Sequence, residues 1–223
     1  MRFGLMSFCA AILLAACTTY PAYPTDSSSG SRNPPSPIAS SGEFRADRDL
    51  LVCRGLSPSN APPIDARGRI TTYSPYVNYN NRVILALKPV RGGCFSSGFG
   101  RRGRSSHKGI DISASRGTPI FSGAKGVIAE AQWRNGFGNQ IVIDHGWGLY
   151  TRYAHMTDFG PGVAVGAPVD SGAIIGYVGA TGNATGAHLH YEVLTGNIRN
   201  SLGSIGLQAI DPFSLPPYVA PVG

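Results

Sequence analysis

Glycine and short β-branched runs alternate along residues 94–213, and that alternation excludes most helical architectures. The runs "GIDISA", "GVIAEAQW", "GNQIVIDHG", "GLYTRYAHM", "GAIIGYVGATG" and "AHLHYEVL" follow one another with glycine at the joints. Glycine weakens helices and supplies turns, while β-branched and aromatic residues suit a pleated, half-buried surface. With 30 Gly and 17 Pro in 223 residues, the chain reads as an all-β protein of packed antiparallel sheets. A faint internal echo runs through it. "GTPIFSGAKGVI" (117–128) and "GAPVDSGAIIGY" (166–177) share Gly, Pro, Ser, Gly and Ala at matching places. A period of about fifty residues is what two copies of one β unit would leave; two similar hairpin turns would leave the same trace.

The N-terminus has a different character. "MRFGLMSFCAAILLAAC" places Arg2 before an apolar stretch that ends in small residues. This is the three-part layout of a secretory signal, too short for a permanent membrane span. Leu14-Ala15-Ala16-Cys17 is similar to the bacterial lipobox, whose cysteine becomes the lipidated first residue of the mature chain. Residues 1–17 are therefore expected to be a lipoprotein signal. Acyl chains on Cys17 would hold the protein to a membrane, on the periplasmic side of the outer membrane in a Gram-negative host. The Ser/Pro-rich stretch 18–42 reads as an unstructured tether. Residues 43–93 read as a small N-terminal β segment with "VILAL" as a buried strand. Residues 94–213 are the main domain, and 214–223 are a Pro-rich tail lying over its surface.

Export changes the meaning of the cysteines. Cys53 and Cys94 are an even pair in an oxidising compartment, so a disulfide between them is expected, with two buried thiols as the alternative. Neither lies in a CxxC pair, which argues against a zinc–thiolate site. The formal net charge of +7 reads first as an aid to solubility and second as attraction to something anionic, acidic lipid or a wall polymer. The chain has no Lys/Arg-rich run with interleaved aromatics, so nucleic acid is not an expected partner.

The chemistry is sought among the chain's five histidines. In "GAHLHYEV", His188, His190 and Glu192 alternate with Leu189, Tyr191 and Val193, so the two imidazoles and the carboxylate share one strand face. Glu192 reads first as a surface strand residue and second as a partner orienting the His190 imidazole. "HKGID" sets His107 four residues before Asp111. With one of His188 or His190, this pair gives three ligands for a zinc ion and leaves a fourth position open. A fully extended H-x-x-x-D would hold its Cα atoms roughly 13 Å apart, so the chain must bend between them, with Gly109 as the expected hinge. His155 closes the run "YAHM", and His145 in "IDHG" reads as a turn residue. Arg101, Arg102 and Arg104 read as solvated, with attraction of substrate carboxylates as a second role.

Three blocks, "GFGRRGRSSHKGID", "GNQIVIDHGWGLYTRYAH" and "TGNATGAHLHYEV", resemble the M23 peptidases, the LytM/lysostaphin-type zinc endopeptidases of peptidoglycan. The resemblance covers about residues 94–195. It implies that His107, Asp111 and His190 bind Zn2+ and that His155 and His188 are the catalytic pair. It also implies peptidoglycan peptide stems as the substrate. The family includes degenerate members that bind peptidoglycan or activate an amidase without catalysis. They lack ligands, whereas all five positions are filled here. Absence of an HExxH excludes the glutamate base that goes with that motif. Digestion of ordinary proteins is a third and weaker expectation.

Overall fold

The computed structural model describes residues 35–42, 44–200 and 202–220; the expected signal and Cys17 lie outside them. Among the described residues fifteen strands follow in chain order. The first six are β1 (Tyr76–Tyr79), β2 (Val83–Ala86), β3 (Cys94–Ser97), β4 (Gly100–Arg102), β5 (Ser105–His107) and β6 (Ile110–Ser113). Next come β7 (Pro119–Phe121), β8 (Gly126–Arg134), β9 (Gly138–Asp144), β10 (Leu149–Met156) and β11 (Asp158–Phe159). The last are β12 (Pro168–Val169), β13 (Ile174–Tyr177), β14 (His188–Thr195) and β15 (Gln208–Ile210). Among the described residues the only helical pieces are two short 3-10 turns, Gly203–Gly206 and Pro212–Ser214. The protein is all-β, as the glycine spacing requires.

An eight-stranded sheet in the order β12-β8-β9-β10-β14-β6-β3, with β15 beside β14, forms the main layer. Its pairs are antiparallel. A small sheet, β11-β13-β7, forms the second layer. Period-two alternation sorts the side chains. Ile110 and Ile112, Ile141 and Ile143, Tyr153, Leu189, Tyr191 and Val193 turn inward with Ile120, Ile175 and Val178 to make one core. Each large apolar side chain buried this way contributes about 1.5–3 kcal/mol. The opposite face carries Asp111, Arg152, His190 and Glu192 beside a smaller apolar cluster of Ala129, Val142, Tyr150, Leu194 and Leu207. The functional residues therefore lie on the face that the main core does not use.

The internal echo takes a definite form. In the first copy β7 is followed by β8, and in the second β12 is followed by β13. The copies pair reciprocally, β7 with β13 and β8 with β12. Gly172 N–H donates to Ser122 O, and Ser122 N–H donates to Ala173 O, where the two meet.

Residues 44–93 are not a separate unit. Leu50, Ile70, Leu85 and Leu87 are fully buried in the same cluster as the sheet's inner face. "VILAL" does supply a strand, β2, paired with β1 across a turn in which Asn80 and Asn81 both take positive φ. Residues at the end of the expected tether are tied down as well: Ile38 forms a parallel bridge to Val169, and its N–H donates to Pro168 O at 2.8 Å. The tail returns along β1, with Pro217 bridged to Val77. Cys53 and Cys94 are joined by a disulfide, which fastens the N-terminal residues to β3.

Candidate metal centre

Asp111 on β6 and His190 on β14 are direct cross-strand partners, and His188 pairs with Ser113 in the same register. Strand pairing alone therefore sets a carboxylate beside an imidazole. His107 joins them from the end of β5, because Lys108 and Gly109 turn the chain into β6. Gly109 is required there for a reason other than the expected hinge: its φ is not positive, but a Cβ would lie 2.3 Å from Tyr191 O. The turn has to pass flush against β14.

Three ligand atoms converge. His107 Nε2 lies 3.0 Å from His190 Nδ1 and 3.2 Å from Asp111 Oδ1, and His190 Nδ1 lies 2.9 Å from the same oxygen. All three residues are buried. The tautomers follow from the outer partners. His107 Nδ1–H donates to Gly98 O at 2.6 Å, and His190 Nε2–H donates to Glu192 Oε1 at 3.1 Å. That leaves a lone pair on each inner nitrogen facing a carboxylate oxygen. Such a triad needs a cation at its centre. Ligands held about 2.0–2.2 Å from a tetrahedral zinc sit roughly 3.4 Å apart, so the donor set fits Zn2+ with shifts of a few tenths of an ångström.

Electrostatics tell the same story. Burial disfavours charge on His190, yet the Asp111 and Glu192 carboxylates outweigh it and raise its pKa to about 9. Burial also opposes the Asp111 carboxylate, but the adjoining His107 and His190 imidazoles outweigh it and hold its pKa far below the usual range. The site is built to keep one positive charge among its donors, a place that a bound cation would fill in the proton's stead.

Glu192 is not the surface residue the sequence pattern favoured. It is fully buried. One oxygen accepts from His190, and the other pairs with Arg152 Nη1 at 2.5 Å. Arg152 stands directly across from it on β10 and also donates to Ser204 O and Oγ. Burial works against the carboxylate, while His190 and Arg152 hold its pKa below the ordinary value. Phe137 roofs this row, its ring 4.3 Å from the Arg152 guanidinium carbon and 5.9 Å from the His190 ring. The signal for Arg152 was a fixed cation in the middle of a strand run that otherwise carries none.

His155 reaches the site by a break in β10. The register shifts between Tyr153 and Met156, and His155 takes φ 62°. Such a bulge re-aims a side chain, and its N–H is secured by Phe137 O at 2.8 Å. His155 Nδ1–H donates to Thr181 O at 2.7 Å and His188 Nδ1–H to Gly186 O at 2.9 Å. Their rings lie 4.7 Å apart, centroid to centroid. Each thus turns an Nε2 lone pair away from its anchoring carbonyl; His188 Nε2 lies 3.7 Å from Asp111 Oδ1. Burial, opposed by the Thr181 carbonyl and aided by His188 and His190, pushes the His155 pKa down to about 4. At neutral pH it is an uncharged base.

The remaining residues sort themselves. Arg102 lies 3.6 Å from Asp111 Oδ2 and 3.2 Å from Ser97 Oγ, while Arg101 and Arg104 are exposed. Tyr153 is a core residue packed on Tyr191. Asn139 ties the end of β10 by donating to Met156 O and Thr157 O. His145 is buried and lines a cavity of about 980 Å³ beside Trp147, Arg82 and Tyr76, none of which belongs to the metal group.

Comparison with known proteins places this arrangement. Residues 105–201 match the model of peptidase family M23. The chain is 44% identical over 86 residues to the DD-carboxypeptidase/endopeptidase Mpg of Neisseria meningitidis, covering 39% of this chain and 19% of that one. It is 36% identical over 101 residues to the peptidoglycan DD-endopeptidase ShyC of Vibrio cholerae, covering 45% and 23%. The match thus spans about a fifth of the length of these relatives. Among solved structures, the catalytic domain of lysostaphin from Staphylococcus simulans superposes with a TM-score of 0.50 at 32% identity, covering 58% of this chain and 96% of that domain. By fold, by donor set and by this near-complete coverage of a solved catalytic domain, the chain belongs to peptidase family M23.

Proposed function

We propose that the chain is a zinc-dependent endopeptidase that hydrolyses the peptide cross-links of peptidoglycan in the bacterial envelope. One observation carries the reading: three donors that demand a cation stand beside two imidazoles whose Nε2 atoms are turned away from their anchoring carbonyls. His107 Nε2, Asp111 Oδ1 and His190 Nδ1 would hold the metal. Bound there, zinc supplies Lewis acidity toward a water molecule and the scissile carbonyl.

The protein's own groups then move the proton. The attacking water gives a proton to Nε2 of His155 or His188, each already oriented by its Nδ1–H bond to a backbone carbonyl. The protonated Nε2–H becomes a donor, stabilising negative charge on the carbonyl oxygen and passing the proton to the leaving amine. Glu192 keeps His190 in the tautomer that presents Nδ1, and Arg152 keeps Glu192 ionised. Phe137 covers this row and limits water on that side.

The names of relatives acting on peptidoglycan support the substrate class. The sequence Leu14-Ala15-Ala16-Cys17 supports export and lipid anchoring, which would station the enzyme at the envelope it cuts. The test is digestion of purified sacculi with mass identification of the fragments. New amine and carboxylate ends at cross-links, lost on chelation and restored by zinc, are the expected result. Unchanged sacculi with a zinc-loaded, folded protein would overturn the reading in favour of a binding or amidase-activating role.

A further inference from the structure

The residues matching the family begin at Ser105, yet the hydrogen-bond chain behind the first ligand begins well before them. His107 Nδ1–H is anchored by Gly98 O at 2.6 Å. Gly98 is buried and is itself gripped by Asn60. Asn60 Oδ1 accepts from Gly98 N–H at 3.0 Å, and Asn60 Nδ2–H donates to Gly98 O. One side-chain amide thus occupies both polar groups of one peptide residue. The carbonyl uses its two lone pairs, one for Asn60 and one for His107. The approach is backbone-close: a Cβ on Gly98 would lie 2.0 Å from Asn60 O.

What holds Asn60 in place is also visible. The N-terminal residues run beside β3 through a parallel bridge between Val52 and Phe95. Cys53 N–H donates to Phe95 O at 2.9 Å, and Phe95 N–H donates to Leu51 O at 2.7 Å. The Cys53–Cys94 disulfide locks this register covalently. A slip along β3 would carry the loop bearing Asn60 away from Gly98.

We propose that Asn60 is a positioning residue for the metal ligand His107, acting through the Gly98 carbonyl, and that the Cys53–Cys94 disulfide keeps it in register. The N-terminal residues are then part of the metal site rather than a spacer before it. The proposal rests on reading His107 as a ligand, but its readout is metal occupancy and not hydrolysis. A protein that binds zinc tightly and cuts nothing would sink the endopeptidase reading and leave this one standing.

The experiment measures zinc dissociation constants at fixed pH by competition with a chromophoric chelator, using the full mature chain. Partners behind a metal-ligating imidazole typically contribute 10–100-fold in affinity. Asn60→Leu is expected at the low end, about tenfold weaker. Asn60→Asp keeps the acceptor for Gly98 N–H but sets a second oxygen against Gly98 O, so it should weaken zinc at least as much as Leu; it carries the test alone should the Leu variant not fold. Replacing both cysteines by serine should weaken zinc to a similar degree. Thr71→Val removes an exposed hydrogen bond to Pro63 O in the same N-terminal stretch without touching Gly98, and should leave affinity unchanged. In the zinc-loaded protein the His107 Nδ1–H proton resonance should move in the Asn60 variants and stay put in Thr71→Val. Wild-type affinity in both Asn60 variants, or an equal loss in Thr71→Val, would overturn the proposal.

Discussion

Two buried histidines at opposite ends of β10 make an instructive pair. His145, just before the strand, and His155, near its end, both have pKa values pushed down to about 4, chiefly by burial. Both place Nδ1 against a backbone carbonyl, Lys125 O at 2.8 Å and Thr181 O at 2.7 Å. They part at the second nitrogen. His145 Nε2 lies 2.7 Å from Thr151 Oγ1, inside a closed network that continues to Tyr153. His155 Nε2 has no hydrogen-bond partner among the described residues, and its ring faces those of His188 and His190. A perturbed pKa marks both. An uncommitted lone pair beside a cation site marks only one, and that is what separates chemistry from packing.

Substitutions should widen this contrast in graded steps. The largest effect belongs to the donors themselves: His190→Ala or His107→Ala should abolish both zinc binding and sacculus digestion, read by metal analysis and fragment release. His155→Ala should keep the zinc and lose about 10²–10⁴-fold in turnover. His145→Gln, at an equally buried position, should leave turnover unchanged. Glu192→Gln should weaken zinc by about 10–100-fold, because a neutral amide supports the His190 imidazole less well than a carboxylate held by Arg152.

The subtlest effect to read is a pH signature in stability rather than in activity. His145 stays neutral in the folded protein down to about pH 4, whereas an unfolded histidine protonates near 6.5. Between these values the unfolded chain binds the extra proton, so stability is present above about pH 6.5 and lost as pH falls toward 4. The loss attributable to His145 is on the order of 3 kcal/mol over the whole window. His145→Gln should flatten this part of the denaturation profile while lowering stability at pH 7 by about 1 kcal/mol for its altered hydrogen bonds.

What the sequence disclosed, and what it hid, follows from the range of the interactions. Period two along "HLHYEV" is a local property, so the shared face of His188, His190 and Glu192 was readable. The all-β character was readable for the same reason. The resemblance to M23 peptidases supplied the division of roles between the histidines, which spacing left open. The burial of Glu192 was hidden because its partner Arg152 stands across the sheet at a separation of 40 residues. The turn of His155 toward the site was hidden because a bulge with positive φ breaks the alternation that made the rest legible. Asn60 was invisible for a similar reason: its partner Gly98 is 38 residues away, and nothing in either local sequence announces the contact. The 117–128 and 166–177 echo was visible as likeness, but the exchange of strands between the copies is a tertiary fact.

The most direct test is a crystal structure of the zinc-loaded protein with the ion located by its anomalous scattering. The account expects one ion bound by His107 Nε2, Asp111 Oδ1 and His190 Nδ1, with its remaining coordination position turned toward Nε2 of His155 and His188. An ion held elsewhere, or one that recruits His188 or His155 in place of His190, would contradict it.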